Sequence, residues 1–294
     1  MNISPINIYK LSNINKKSIP AKSPSFKAQI KQMPVVGYGN IPKSILKKVI
    51  ADNRASMLTK INDENEYKEI LDKTFKYLIE YENFVMNLVI RNGYEKTPVP
   101  LQGLISYCGA GDLSDVINSW LTVRHFNAED KISDEQISNI IRVLEYSLNR
   151  LDEKFGKYEG RVYRVGYFNP HKDKQFYSTS KKMGCIYLHS QENPPGPIYP
   201  YSIIKIKNGH EIHKFQEFTN TFMSKKFAKA EKEILIDRNS NFRKVPFENY
   251  SNDDINDILT LLNISEKVKI RKEDLDRFNR SIDTLNYISV WEEI

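Results

Sequence analysis

The sequence predicts an α+β protein in which a helical first half leads into a β-sheet. Two patterns of apolar residues indicate this class. Between residues 42 and 155 apolar residues recur every three or four positions, which is the repeat of an amphipathic helix. From about residue 158, short runs of β-branched and aromatic residues alternate with polar ones, as is typical of strands. The chain has 294 residues and is 40% hydrophobic, so it can bury a sizeable core.

Three apolar stripes define the helices of the first half. The first stripe lies on a long helix that Gly93 is expected to end, because glycine commonly follows a helix C-terminus. The turn-like Gly-Ala-Gly-Asp run at 109–112 precedes a second, shorter helix. Ser133 and Gln136 have the spacing of a capping box, which predicts the start of a third. The stripes are Tyr67, Ile70, Leu71, Phe75, Leu78 and Ile79; Leu113, Val116, Ile117, Trp120 and Leu121; and Ile137, Ile140, Ile141, Leu144, Leu148 and Leu151.

The second half contains strand-like runs and ends in two predicted helices. The Asn-Pro-Pro-Gly-Pro stretch at 193–197 predicts a loop, because proline cannot donate a hydrogen bond to a neighbouring strand. Ser251 and the aspartates after it are expected to cap a short helix. A second helix is expected near Lys272 to Ile288. The predicted strands are 160–168, 185–190, 201–207 and 233–236, and the first helix carries Ile255, Ile258, Leu259 and Leu262.

These patterns divide the chain into four segments. Residues 1–40 are rich in Asn, Ser, Lys and Pro without apolar periodicity, which predicts a disordered leader. Such a leader fits a specialised secretion signal and equally an ordinary frayed terminus. A helical region at 41–155, a sheet core at 156–250 and a helical C-terminal appendage at 251–294 follow.

Composition argues against several classes of function. The formal net charge is +7, but the lysines are spread along the chain beside 37 acidic residues, which indicates a solvated surface rather than a nucleic-acid site. An RNA-binding module is disfavoured because the aromatic and basic signature of the common RNA folds does not occur. No apolar stretch approaches the ~20 residues that cross a membrane.

Neither the cysteines nor the histidines predict a metal site. Cys108 and Cys185 are far apart in the sequence and lack the spacing of a zinc or redox motif, so buried thiols are expected. His210 and His213 flank a glutamate, but they lack the four-residue spacing of a zinc-protease helix.

Two glutamates on one predicted strand are candidates for chemistry. Glu231 and Glu233 are two residues apart, so a strand would place both carboxylates on one face, about 7 Å apart. Such a pair can stabilise a cation and handle a proton. Alternating Lys and Glu is, on its own, more typical of a solvated strand edge.

Two further segments stand upstream of these glutamates. Ser178, Thr179 and Ser180 form a hydroxyl cluster that, in isolation, indicates a turn or a helix cap. Arg164 alternates with Val162 and is therefore expected to point inward, where an arginine needs an anionic partner. A substrate phosphate or an internal glutamate would both serve.

The order of these residues resembles the Arg–Ser-Thr-Ser–Glu-x-Glu class of mono-ADP-ribosyltransferases, of the bacterial toxin and effector type. The run Tyr-Cys-Gly…Ile-Asn-Ser-Trp-Leu within 107–121 is similar to the helix that precedes the arginine in many bacterial members. The run Arg-Val-Tyr-Arg-Val at 161–165 is similar to the strand that carries it, although Val165 stands where glycine is usual. The resemblance covers roughly residues 100–250 and implies a mixed two-sheet core with an NAD cleft.

The resemblance also implies a role for each residue. Glu233 would stabilise the ribosyl cation formed from NAD, Ser178 would fix Glu233, and Arg164 would bind the NAD diphosphate. Glu231 would activate the acceptor, in this class generally an arginine. NAD, used as substrate without a metal, would contact Arg164, Val165, Ser178, Thr179, Ser180, Gln175 and Tyr107, and Thr179 and Ser180 would tie the strands together.

The segment 209–229 lies where this class keeps its substrate-recognition loop. Its phenylalanines indicate either a partner site or a packed amphipathic helix. The sequence therefore predicts a secreted bacterial effector that modifies a protein in a host cytosol, with ubiquitin, a small GTPase or actin as candidate acceptors. The alternative is a catalytically silent effector that only binds a host partner. The phenylalanines are Phe215, Phe218, Phe222 and Phe227.

Overall fold

The computed structural model describes residues 42–81, 84–108, 113–123, 132–166, 168–171, 174–183, 201–219, 232–267 and 288–294. Several predicted features lie outside these residues. They are the leader at 1–40, the turn at 109–112, the strand at 185–190 with Cys185, the loop at 193–197, Glu231, and all but the last residue of the helix expected near 272–288.

The first half is helical, as the apolar spacing predicts. The expected helix end at Gly93 is wrong. The helix that carries the first stripe ends at Tyr81, and Gly93 lies inside the next helix. That helix continues to Lys96 and stops before Pro98, whose ring disfavours helical backbone at the residue before it. The elements are α1 Lys43–Met57, α2 Glu64–Tyr81, α3 Phe84–Lys96, a 3-10 helix Val99–Leu104, α4 Ile105–Cys108, α5 Leu113–Thr122 and α6 Asp134–Phe155.

The long helix α6 organises this half. Its capping box is confirmed, since the Ser133 hydroxyl accepts a hydrogen bond from the Gln136 amide and the Gln136 side chain accepts one from the Ser133 amide. The predicted stripe of α6 is buried. Gly156 follows the helix with a φ of 78°, a conformation that favours glycine, and turns the chain into the sheet. No helix in the described residues is long and apolar enough to cross a membrane.

The strands that the structure describes in the second half form one six-stranded sheet in the order β1-β2-β4-β3-β6-β5, with β1 also paired to β3. The pairs β1–β2, β2–β4, β4–β3 and β3–β1 therefore close a ring of four strands. Because hydrogen bonds connect all the described strands, the predicted division into two sheets is not confirmed. The strands are β1 Tyr158–Val165, β2 Tyr177–Ser180, β3 Tyr201–His210, β4 Glu233–Ile236, β5 Phe242–Lys244 and β6 Ile288–Glu293.

The C-terminal segment, predicted as a helical appendage, contains a helix and also a strand. Ile288–Glu293 forms β6, which runs parallel to β3 and antiparallel to β5. Its side chains alternate between the faces of the sheet, and Val290 and Trp291 are both buried, so apolar burial favours the strand. The capped helix is confirmed. The remaining elements are α7 Ile212–Thr219, a 3-10 helix Phe247–Asn249 and α8 Asn252–Lys267.

Three buried clusters pack on the sheet, and the largest of them joins the two halves. The largest combines α4, α5 and α6 with Phe176, Leu235 and residues of α7, so the helices pack on one face of β2 and β4. A second lies on the opposite face of these strands and includes Val162, Ile204 and Ile234. A third packs α8 against β3 and β6. Since the first cluster has residues on both sides of 155 and the third on both sides of 250, the predicted boundaries there do not separate compact units.

A buried carboxylate fixes α8 to the sheet. Asp254 is 0% exposed, accepts a hydrogen bond from Lys205 on β3 at 2.7 Å, and lies 2.9 Å from the guanidinium of Arg161 on β1. It also accepts hydrogen bonds from the amide and hydroxyl of Ser251, the residue that caps α8. Burial alone would raise the pKa of Asp254, but the hydrogen bonds from Lys205 and Ser251 outweigh it and lower the pKa.

Replacing this carboxylate should make stability depend less on pH. We expect Asp254→Asn to lower the free energy of unfolding by about 3 kcal/mol at pH 7, because two cations lose their buried partner. A carboxyl whose pKa is lowered by folding contributes stability above about pH 4, and the contribution is lost as pH falls through the folded pKa. The difference between parent and variant should therefore shrink below about pH 4.

Urea unfolding at a series of pH values measures this difference. Asp253→Asn is the matched control, because the Asp253 side chain is 81% exposed and comes no closer to Arg161 than 3.8 Å. A difference between Asp254→Asn and the parent that stays constant from pH 7 to pH 3 would show that Asp254 does not carry this linkage.

Candidate functional site

Arg164 lies near the end of β1 and contacts β2. It is half-buried, and its Nη1 donates a hydrogen bond to the Ser178 carbonyl at 2.6 Å. Its guanidinium carbon lies 5.3 Å from the centre of the Tyr177 ring, close enough for a cation–π contact. Tyr177 and Val162 belong to one buried cluster. Because the guanidinium lies over Tyr177, the Arg164 side chain is on the face of the sheet that carries this cluster, and it points inward as predicted.

Ser178 and Glu233 meet across the pair β2–β4. The register opposes Ser178 to Leu235 and Ser180 to Glu233, which puts Ser178 and Glu233 diagonally on one face. The Ser178 hydroxyl donates a hydrogen bond of 2.7 Å to Glu233 Oε1. The expected bond between these residues is therefore present, and it is formed from a strand, not from the turn or cap that the cluster indicates in isolation.

The other two hydroxyls of the cluster have different partners. Thr179 Oγ1 donates to the Ile234 carbonyl at 2.7 Å and so ties β2 to β4, as the resemblance implies. Ser180 Oγ bonds to the backbone of Lys182, which fixes the end of β2.

The carboxylate of Glu233 is buried and receives a second donor. Glu233 is 9% exposed, and Gln216 Nε2 donates to its Oε2 at 3.1 Å. Hydrogen bonds thus reach both oxygens, which fixes the rotamer of the side chain. The sequence patterns do not point to Gln216, because Phe215 and its neighbouring phenylalanines dominate this segment.

The backbone around Glu233 is also constrained. Lys232 has a φ of 48°, a left-handed conformation that costs free energy in a residue with a side chain. Its carbonyl accepts a hydrogen bond from the Lys181 amide at 3.2 Å. His213 Nδ1 lies 3.2 Å from the Glu233 carbonyl. Burial lowers the pKa of His213, so the imidazole is neutral near pH 7 and Nδ1 carries the proton that this carbonyl accepts.

Tyr107 lies beside both charged side chains of the site. Its ring on α4 packs edge-on against Phe176, with centroids 6.0 Å apart. Burial raises the pKa of Tyr107 well above its ordinary value, the negative charge of Glu233 raises it further, and Arg164 lowers it. The phenol therefore stays protonated and lies within electrostatic reach of both groups.

Asn118 holds the start of β2 on the helical half. Its side-chain amide donates to the Phe176 carbonyl at 3.1 Å and accepts from the Phe176 amide at 3.0 Å. Asn118 belongs to the Ile-Asn-x-x-Leu pattern, but spacing along the sequence gives no indication of a partner 58 residues away.

The remaining predicted residues are placed as follows. Val165 ends β1 opposite Tyr201, and Gln175 is buried two residues before β2. Cys108 is half-buried. In the described residues, no group of three or more His, Cys, Asp or Glu could hold a metal ion.

The start of the predicted recognition loop is a packed helix. α7 occupies 212–219, and Phe215 is buried in the largest cluster. The side chains of Phe218, Phe222 and Phe227 lie outside the described part of the chain.

Comparison with known proteins gives weak likenesses. No protein-family model matches the chain, and no curated protein matches it. The type III effector XopAI from Xanthomonas axonopodis pv. citri is similar over 86% of this chain and 91% of its own, with 11% identity and a TM-score of 0.43. The ADP-ribosyltransferase HopU1 of Pseudomonas syringae pv. Tomato is similar over 80% of this chain and 100% of its own, with 13% identity and a TM-score of 0.42. TM-scores this low establish neither a shared fold nor a shared activity.

Disrupting the Asn118 contact should loosen β2. In Asn118→Asp the carboxylate can still accept from the Phe176 amide but cannot donate to its carbonyl, so one partly buried hydrogen bond is lost. We expect the free energy of unfolding to fall by about 1–3 kcal/mol. Urea unfolding measures it, with Asn149→Asp on the exposed face of α6 as the control. Equal losses in the two variants would show that the Asn118 amide does not hold β2.

Proposed function

We propose that this chain is an NAD-dependent protein mono-ADP-ribosyltransferase. The observation that supports this most directly is the buried Glu233 carboxylate, held by Ser178 with Arg164 bound to the same short strand. These three residues come from three strands, β1, β2 and β4, in the chain order that the resemblance requires.

The chemistry needs a fixed negative charge. When the bond between nicotinamide and ribose breaks, its electron pair leaves with nicotinamide and the ribose becomes an oxocarbenium-like cation. Glu233 would stabilise that cation. Because Ser178 and the strained backbone at Lys232 set its direction in advance, little reorganisation is needed at the moment of reaction.

Arg164 would bind the diphosphate of NAD. A guanidinium carries five donors in a planar fork that suits phosphate oxygens. The bond from Nη1 to the Ser178 carbonyl sets the plane of this fork at the end of β1. Tyr107, protonated and within electrostatic reach of Arg164, would contact the same substrate.

The acceptor would be a host-protein side chain that attacks the ribosyl cation and gives up a proton. Glu231 would orient and deprotonate it. Arginine is the acceptor we favour, with threonine as a further possibility, and ubiquitin, a small GTPase and actin are the candidate proteins. We propose that a bacterium secretes the chain and that it acts in the host cytosol.

Removing the charge of Glu233 tests the activity itself. We expect the protein to hydrolyse NAD slowly without a partner, because water can intercept the ribosyl cation. Glu233→Gln keeps the shape but loses the charge, so the rate of nicotinamide release should fall by at least ~100-fold. Release is measured by chromatography.

Glu292→Gln is the matched control. Glu292 is also a strand glutamate, but it lies on β6 and forms a surface ion pair with Arg243 on β5. Its replacement should therefore leave the rate unchanged. A folded Glu233→Gln protein with the parent rate would refute the proposed function. A parent that binds host proteins but never releases nicotinamide would support the silent effector instead.

The two glutamates should be separable. If Glu231 acts only on the acceptor, Glu231→Gln should abolish labelling of a protein target and leave much of the NAD hydrolysis, because hydrolysis needs no activated side chain. Nicotinamide release and labelling of host lysate with tagged NAD are measured on one sample whose circular dichroism matches the parent. Equal loss of both activities, to the level of Glu233→Gln, would mean that the two carboxylates act as one coupled unit.

A further inference from the structure

The second oxygen of Glu233 depends on α7. Ile212 and Phe215 pack into the largest cluster and so fix the rotation of this helix. His213 and Gln216 are three residues apart and therefore share the adjacent face of the helix. Both contact Glu233, His213 at the backbone carbonyl and Gln216 at the carboxylate.

The chemistry of the amide fixes the direction of its hydrogen bond. An ionised carboxylate can only accept, so Gln216 must present its Nε2 to Glu233 Oε2. Gln216 is 2% exposed, so water does not compete for this bond.

The other polar atom of the Gln216 side chain lacks a hydrogen bond in the described residues. Its Oε1 is buried and has no hydrogen-bond partner within the part of the chain that the structure describes. A buried acceptor without a partner is costly, and an apolar side chain of similar size would avoid that cost. The bond to Glu233 therefore accounts for a glutamine at this position better than packing does.

We propose that Gln216 is a positioning residue for the reaction, which holds the side chain of Glu233 in the rotamer that faces the ribosyl cation. This inference rests on the proposed function of Glu233. Ser178 on β2 and Gln216 on α7 then act from two sides, one on each oxygen.

Two substitutions at Gln216 have different expected signatures. Gln216→Met keeps the size and removes the donor, so NAD hydrolysis should fall by about 10- to 100-fold at every pH, the usual effect of losing a hydrogen bond to a charged group. Gln216→Glu has nearly the same shape, but its donor exists only while the introduced carboxyl is protonated.

The pH profile of Gln216→Glu is therefore diagnostic. Two carboxyls in contact lose their protons in two separate steps, and after the first step they share the remaining proton. We expect that proton to be lost more than about 1 pH unit above the ordinary glutamate midpoint of about 4.3. While the proton is shared, the introduced carboxyl can donate to Glu233 as the amide does. Activity should approach the parent rate in this acidic range and decline as pH rises through the second titration, a decline absent from the parent.

Carbon-13 NMR tests the contact without NAD. Glutamate labelled at the side-chain carboxyl gives a signal for Glu233 that the Glu233→Gln spectrum identifies. Gln216→Met should shift that signal, and Gln216→Glu should couple its titration to a new carboxyl. An unshifted Glu233 signal in both variants would overturn the inference even if the parent proves unable to hydrolyse NAD.

Gln136→Glu is the matched control, because a capping box accepts either side chain and Gln136 belongs to the start of α6. It should change neither the pH profile nor the Glu233 signal. Thermal unfolding checks that each variant is folded. Parent-like hydrolysis in Gln216→Met, or a Gln216→Glu profile without the acidic optimum, would refute the positioning role; an inactive parent would instead refute the function of Glu233.

Discussion

The pairing of β3 with three other strands is the constraint on which the rest of the structure depends. This strand has ten residues, longer than most, and pairs with β1 over most of its length, with β6 at its start and with β4 at its end. Once β1 and β4 are fixed to β3, β2 can pair with both and close the ring. Arg164, Ser178 and Glu233 reach one neighbourhood because three strands of this ring carry them.

Two helices complete the site by contacting the sheet at two points, α5 from the helical half and α7 from the second half. Asn118 on α5 holds the start of β2 through both backbone groups of Phe176. Gln216 on α7 reaches the carboxylate that β2 reaches from the other side. The largest apolar cluster includes residues of α4 to α7, Phe176 at the start of β2 and Leu235 of β4. These polar contacts are therefore made between elements whose relative positions are already set by packing.

Local costs gather around Glu233. The left-handed backbone at Lys232, the buried carboxylate, and the Oε1 of Gln216, which has no partner among the described residues, each oppose folding. All three lie within one residue or one contact of the Glu233 side chain. Asp254 shows the contrast, because its buried carboxylate is matched by two cations and a helix cap and fixes α8 to the sheet. Features that lower the stability of a protein in this way are typical of functional sites, where a fixed geometry matters more than stability.

The sequence by itself determined the α+β class, the capping box at Ser133, three of the six described strands and the inward direction of Arg164. These follow from periodicity and local hydrogen bonding, which are properties of neighbouring residues. It did not determine that helix α2 ends at Tyr81, that Ile288–Glu293 joins β3 as a strand, or that the described strands form one sheet. Only the tertiary structure decided that Gln216 and Asn118 contact Glu233 and Phe176, because the register of distant strands and the rotation of packed helices depend on burial across the whole chain.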